Sequence, residues 1–182
     1  GGGQALAAGN DCVTVAVGSG VYHIGDETVG WYRQPAPDGT TVTIPITVTD
    51  ADYTSLKLYG LAHGTNTWGT GNTADPSTGS VVEVWQLPDP SLPASGTNEM
   101  RRVGSLELPT LDEEYARQRN YASSDTYWSS FGLPMPGTLK TGAAELRLIA
   151  GDNPSGIDDY ELTDLELEFC GIGEPELPGA VP

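Results

Sequence analysis

The chain has 182 residues and carries 8 basic and 25 acidic side chains, which gives a formal net charge of −17. A chain this acidic has no basic face with which to neutralise phosphates, and this argues against a nucleic-acid-binding protein. With 37% hydrophobic residues, 24 Gly and 14 Pro, it has enough apolar residues for one packed core but too many chain breakers to be mainly helical.

The acidic excess is largest in the C-terminal half. Residues 1–91 hold nine acids and two bases, and residues 92–182 hold sixteen acids and six bases, so the halves carry −7 and −10. Such a surface repels anionic membranes, and the chain has no apolar run long enough to insert into one. The acidic block favours the solvated surface of an exported protein, with binding of a hard cation as the alternative.

Alternating apolar and polar residues predict short β-strands along most of the chain. In chain order these strands cover residues 12–17, 41–48, 55–59, 80–87, 102–108, 145–150 and 161–169. Pro45 interrupts the second strand, which favours an edge strand or a bulge because proline cannot donate to a sheet ladder. In the last strand Leu165, Leu167 and Phe169 share a face that we expect in the core, while the glutamates between them face water. Trp85, in the middle of its strand, is predicted to be a core residue.

One short helix is predicted among the strands. The segment 110–113, Thr-Leu-Asp-Glu, has the form of a capping box, and two arginines lie shortly before Asn120. Many short strands without a βαβ alternation predict an all-β fold, an antiparallel β-sandwich that is most simply a jelly roll with this helix in a loop. We expect an extended arm over residues 1–11, one sandwich domain over 12–170 and a Pro-rich tail over 171–182.

The two cysteines, Cys12 and Cys170, lie at the edges of the first and last predicted strands. Neither belongs to a C-x-x-C pair, so zinc and redox motifs are absent from the sequence. Because the first and last strands of many sandwich folds are neighbours, we expect a disulfide that closes a loop of nearly the whole domain. Two separate buried thiols are the alternative. A disulfide would indicate an oxidising compartment outside the cell.

Four short segments occur in an order that a known family shares. They are residues 55–62 (SLKLYGLA), 79–85 (GSVVEVW), 102–106 (RVGSL) and 144–159 (AELRLIAGDNPSGIDD). Together they resemble the jelly-roll carbohydrate-binding modules of the galactose-binding-like superfamily, above all the module found beside glycosidase catalytic domains. The resemblance covers about residues 40–170 and implies a jelly-roll fold, glycan binding and a structural calcium ion. The chain differs from the family's pattern at 162–165, where a tryptophan is expected, and in an insert over 87–100.

Sugar binding needs an aromatic ring against the apolar face of a pyranose, with acids and amides for its hydroxyls. Trp68 lies with Asn72 in a polar, glycine-rich segment and is the first stacking candidate, an aromatic plug over the end of the sandwich being the alternative. Tyr127 and Trp128 are the second candidate, although Trp128 suits the anchoring of a long loop equally. The predicted ligand-binding residues are Trp68, Asn72, Tyr127, Trp128, Asn153 and Asp158.

Calcium is the cation that the acidic segments favour, because it takes about six to eight oxygen ligands and accepts them from loops. Asp50 and Asp52 follow a predicted strand, and Asp152 and Asp159 lie in one later loop. No spacing matches the EF-hand loop. We predict these four aspartates as metal-binding residues, with calcium as a structural cofactor.

The sequence contains no recognisable catalytic motif. Its only histidines, His23 and His63, lie in different segments, and His63 is most simply a strand-end residue. The sequence has no G-x-S-x-G elbow, H-E-x-x-H pair or phosphate-binding loop. We therefore expect that the protein is not an enzyme.

Two functions from different classes remain. The first is a non-catalytic glycan-binding β-sandwich, secreted or exposed on a surface. The second is a structural subunit of an extracellular assembly, such as a virion decoration protein, a fibre component or a surface-layer component, held by its terminal arms. The expected partners are a glycan, or neighbouring subunits that include copies of the chain, and neither nucleic acid nor a membrane interior.

Overall fold

A computed structural model of the chain describes residues 11–26, 36–49, 53–63, 65, 80–108, 128–153 and 156–171, with the backbone alone for 152, 153 and 156–158. These residues form eleven strands and no helix, so the predicted all-β class is confirmed. The helix predicted near residues 110–120 lies outside the described residues. The same described residues include no helix of the length and apolarity that crossing a bilayer requires.

The strands are numbered in chain order. They are β1 (Cys12–Ala16), β2 (Tyr22–Ile24), β3 (Thr41–Val48), β4 (Ser55–His63), β5 (Val81–Gln86), β6 (Arg101–Glu107), β7 (Ser129–Pro134), β8 (Gly142–Ile149), β9 (Gly151–Asn153), β10 (Gly156–Asp158) and β11 (Tyr160–Cys170). The sequence pattern does not predict β2, β7, β9 or β10. The last two form a hairpin in the aspartate-rich segment that the sequence suggested was a loop.

Two antiparallel sheets contain the other nine strands. In the five-stranded sheet the order is β1-β11-β4-β7, and β2 pairs with β11 beyond the end of β1; in the four-stranded sheet the order is β3-β8-β5-β6. Strand β3 is therefore an edge strand, as Pro45 predicts. Its pairing with β8 is regular from Thr41 opposite Ile149 to Val48 opposite Gly142.

The two sheets share one hydrophobic core and form a β-sandwich. Alternate residues of the strands in both sheets are buried, as in β3 with Ile44, Ile46 and Val48. Tyr160 of β11 crosses between the sheets, where its hydroxyl donates to the carbonyl oxygen of Val81 in β5 at 3.4 Å.

A bulge in β11 changes which residues of this strand face the core. Thr163 lies opposite Leu61 and Glu166 opposite Tyr59, so β11 has one more residue than β4 over this stretch. Asp164 takes up the difference in the left-handed region, with φ of 53°. As a result the core residues of β11 are even-numbered before the bulge and odd-numbered after it, and the predicted core face is confirmed for the later part.

Trp85 is not a core residue, and that prediction is wrong. Its ring is half-buried on the outer face of the four-stranded sheet, with the guanidinium carbon of Arg147 3.8 Å from the ring centroid. The inward position belongs to Gln86, which is 2% exposed. Its side-chain amide donates to the carbonyl oxygen of Lys140 at 2.6 Å and accepts from the backbone amide of Lys140 at 2.8 Å. These two hydrogen bonds compensate the burial of the polar side chain.

Cys12 and Cys170 form the predicted disulfide. They lie opposite each other where β1 pairs with the C-terminal end of β11. The bond therefore fastens an edge strand to its neighbour at one end of the five-stranded sheet, and the Tyr160 end of β11 is at the other.

Candidate functional site

Both histidines of the chain lie in one row across the five-stranded sheet, at the Tyr160 end. Glu161 of β11 is opposite His23 of β2 on one side and His63 of β4 on the other. Residues directly opposite in antiparallel strands project to the same face of a sheet. Because Tyr160 and Leu162 on either side of Glu161 belong to the core, this row projects from the outer face.

Each histidine is paired with a carboxylate. His63 Nδ1 lies 2.9 Å from Glu161 Oε1, and His23 Nε2 lies 2.8 Å from Asp159 Oδ2. We call these four residues the buried cluster, since each is at most 6% exposed. An ionised carboxylate only accepts hydrogen bonds, so toward an ionised Glu161 or Asp159 the donor atoms are His63 Nδ1 and His23 Nε2.

Backbone groups hold the cluster in place. The amide of His23 donates to Asp38 Oδ2 at 2.8 Å, and the amide of Asp26 donates to Asp159 Oδ1 at 3.3 Å. Gly25 packs against the carboxylate of Asp159 so closely that a Cβ at that position would overlap it. These contacts fix the backbone of His23 and the carboxylate of Asp159, and so the position of their hydrogen bond.

Trp128 lies beside the buried cluster. It immediately precedes β7, and its ring centroid is 5.1 Å from that of His63, with the planes inclined by 32°. The indole is half-buried, whereas the imidazole is 4% exposed. Trp128, which the sequence predicts as a sugar-stacking residue, thus packs against His63, and the imidazole of His63 is hydrogen-bonded to Glu161.

Of the predicted site residues, the structure places Trp128 and Asp159 together at this end of the sheet. Asp152, Asn153 and Asp158 lie on the strands of the β9–β10 hairpin, close to Asp159 in the chain, and only their backbone is described. The other predicted residues lie outside the described part of the chain: Trp68, Asn72 and Tyr127 for the ligand, and Asp50 and Asp52 for the metal.

The sequence assigned no site to His23, His63 or Glu161. Each histidine is far in the chain from its carboxylate, by 136 residues for His23 and Asp159 and by 98 for His63 and Glu161. Only strand pairing brings them together. The available signal was indirect, namely that His63 falls at the end of one strand-like segment and Glu161 at the start of another.

The geometry at Asp159 bears on the calcium prediction. Both of its carboxylate oxygens accept hydrogen bonds, one of them from an imidazole, and a hard cation such as calcium prefers a set of oxygen ligands. The calcium prediction at Asp50, Asp52, Asp152 and Asp159 stays a prediction. Elsewhere in the described residues, metal-ligand atoms of three side chains converge at Cys12, Glu168 and Cys170, where the two sulfurs are bonded to each other.

Comparison with known proteins identifies no family for the chain. A scan against protein-family models finds no match, and a search of curated proteins finds no significant sequence relative.

Proposed function

We propose that the protein is a non-catalytic glycan-binding β-sandwich whose ligand contacts Trp128. The observation that carries this proposal is the half-buried indole supported by His63. Aromatic rings bind sugars through the apolar face of a pyranose, with few polar groups nearby to orient the hydroxyls. A ring already held by packing loses less conformational entropy on binding than a mobile one.

The buried cluster supports a positioning role over catalysis. Asp159 and Glu161 are each bonded to a histidine and almost excluded from solvent, at 6% and 3% exposed. A general acid or base has to reach the substrate directly or through one water. These carboxylates instead orient imidazoles, and one of those imidazoles supports the Trp128 ring.

The strand order supports a jelly roll. When β1 and β2 are counted as one strand and the β9–β10 hairpin is left aside, eight strands remain in two sheets of four. A jelly roll consists of eight strands in two Greek keys, and it occurs in both sugar-binding and capsid proteins. We propose this topology with the short helix near residues 110–120 in one of its loops. The Cys12–Cys170 disulfide supports an extracellular location, since such bonds persist in oxidising compartments.

A glycan array tests the proposal. Wild-type protein should bind a defined set of glycans, and Trp128→Ala should weaken binding by about 1 to 3 kcal/mol, which is about 5- to 150-fold in affinity. Trp85→Ala is the matched control, because Trp85 is also half-buried but lies on the other sheet; it should bind as wild type does. Repeating the array with a chelator tests the calcium prediction. A wild-type protein that binds no glycan, or a Trp128→Ala variant with unchanged affinity, would refute the proposed function.

The exposed edge of β1 favours a second candidate, a structural subunit of an extracellular assembly. All five residues of β1 are exposed, and the strand contains no charge or proline. Val13 and Val15 face the same way as their buried partners Phe169 and Leu167, yet they are 49% and 44% exposed. Unprotected edges of this kind pair with strands of other chains.

Light scattering after size-exclusion chromatography tests this candidate. If β1 joins subunits, the wild type should form a defined oligomer, and Val15→Lys should dissociate it. Leu92→Lys is the control, since Leu92 is 54% exposed in a loop away from that edge. A monomer at every concentration would eliminate the assembly role.

A further inference from the structure

A groove of about 320 Å³ lies on the outer face of the five-stranded sheet, next to the row that contains the buried cluster. Tyr59 of β4 is at its centre, with Glu166 of β11 opposite on one side and Gly132 of β7 opposite on the other. The groove is lined by Tyr59, Gly60, Leu61, Ser130, Phe131, Asp164 and Glu166.

The ring of Tyr59 packs against Gly132. A Cβ on Gly132 would be 2.5 Å from Cε1 and 2.9 Å from Cδ1 of the Tyr59 ring. Any side chain at position 132 would therefore displace the ring from the sheet. Because Gly132 has no side chain, the ring of Tyr59 packs against its backbone and is held in one position. The half-buried ring thus forms an aromatic surface along the groove.

The bulge in β11 supplies the polar groups of the groove. Because the strand has one extra residue there, Asp164 and Glu166 both reach the groove, whereas regular alternation would place them on one face with Leu162, in the core. Both carboxylates are exposed, as is Ser130 across the groove. Two acceptors and a hydroxyl beside an aromatic platform are the groups that bind an uncharged pyranose.

The groove and Trp128 lie on the same face of the sheet. Trp128 precedes Gly132 by four residues, and a strand rises about 3.4 Å per residue, which separates Trp128 from the row of Tyr59 by about 14 Å. One sugar ring is too short to contact both aromatic rings. Charge also restricts the ligand, because the exposed carboxylates of Asp164 and Glu166 line the groove and repel uronate or sulfate groups.

We infer that the groove is a second contact region for the glycan that binds Trp128, and that the ligand is an internal segment of a linear, uncharged oligosaccharide long enough to span both aromatic rings. This inference rests on the proposed function. In it, Tyr59 stacks on one sugar, and Asp164, Glu166 and Ser130 bond its hydroxyls.

Calorimetric titration with oligosaccharides of graded length tests the inference. The probes are gluco-, manno- and xylo-oligosaccharides from monosaccharide to hexasaccharide, with oligogalacturonates as the anionic series. Wild-type affinity should rise with length until both aromatic rings are spanned, and the anionic series should not bind. Tyr59→Ala should remove that rise and leave the affinity for the shortest ligands, and Tyr59→Phe should restore it. Asp164→Asn with Glu166→Gln should weaken only the long ligands.

The outcomes separate this inference from the proposed function. If Trp128→Ala abolishes binding while Tyr59→Ala matches wild type at every length, the groove is not a contact region and the proposed function stands. Tight binding of oligogalacturonate would overturn the assigned ligand class. If wild type binds none of the probes and no glycan on the array, the proposed function itself fails. A thermal melt of Tyr59→Ala close to that of Tyr59→Phe shows that a loss of affinity does not come from unfolding.

Discussion

His63 and Glu161 lie opposite each other on neighbouring strands, and a hydrogen bond of 2.9 Å joins Nδ1 of the imidazole to Oε1 of the carboxylate. Both side chains are 4% exposed. Truncating one partner would leave the other buried without this bond, which costs about 1 to 3 kcal/mol. We expect Glu161→Ala to lower the free energy of unfolding by that amount and Glu161→Gln by less, because an amide oxygen still accepts from Nδ1.

Urea denaturation followed by tryptophan fluorescence measures this effect. Glu107→Ala is the control, because Glu107 is an exposed glutamate at the end of β6 and should change stability by no more than about 0.5 kcal/mol. Equal stabilities for Glu161→Ala and Glu107→Ala would show that the pair does not stabilise the fold.

The disulfide should contribute a large part of the stability. It joins residues 158 apart in the chain, and the loop-closure estimate for so long a loop is about 5 kcal/mol as an upper value. Cys12 is exposed, so a reductant can reach the bond. We expect reduction to shift the urea midpoint of the wild type downward. A variant with Ser at positions 12 and 170 should start at the lower midpoint and show no response to reductant. If reduced and oxidised proteins unfolded at the same urea concentration, the stabilising role would be refuted.

Tyr160 should make the protein sensitive to alkaline pH. Burial between the sheets raises its pKa well above the ordinary value of 10.0. Below about pH 10 the phenol is protonated in both folded and unfolded chains and the shift has no effect. Above it only the unfolded chain loses the proton, so the free energy of unfolding falls by up to about 1.4 kcal/mol per pH unit.

The Tyr160→Phe variant isolates this contribution. The stability difference between the wild type and Tyr160→Phe should be constant from pH 7 to pH 9, and should then move in favour of the variant as pH rises. Denaturation curves at each pH give this difference. Parallel pH profiles for the two proteins would contradict the expected ionisation.

Asn98 should hold the insert over residues 87–100 in its conformation. Its side-chain oxygen accepts from the amide of Asp89 at 3.0 Å, and its amide donates to the carbonyls of Asp89, Leu92 and Pro93 at 3.0 to 3.3 Å. We expect Asn98→Ala to increase hydrogen exchange and proteolysis within the insert and to leave the β-strands protected. Thr97→Ala is the control, because Thr97 is an exposed neighbour. Unchanged exchange in Asn98→Ala would show that other contacts maintain the insert.

Local pattern in the sequence was sufficient for the fold class and for several details. Alternation of apolar and polar residues has a period of two, which is a property of one strand and needs no knowledge of its neighbours. For this reason the core face of Leu165, Leu167 and Phe169 was predicted correctly, and the strand with Pro45 is an edge strand, one of the two alternatives predicted for it. The disulfide of Cys12 with Cys170 was also predicted, because sandwich folds often bring the first and last strands together.

The pairing of strands decided the rest. Trp85 and Gln86 alternate in a strand where either face could be buried, and the backbone of Lys140 supplied hydrogen bonds that make Gln86 the inward residue. The bulge at Asp164 reverses the alternation of core and outward-facing residues in β11. The apolar and polar pattern of that strand alone does not predict this reversal. The buried cluster and the Tyr59 groove depend on register across several strands. The contact between His63 and Glu161 spans 98 positions of the chain, and the contact between His23 and Asp159 spans 136. Such contacts depend on which strands pair and at which register, and the packing of the whole core determines both.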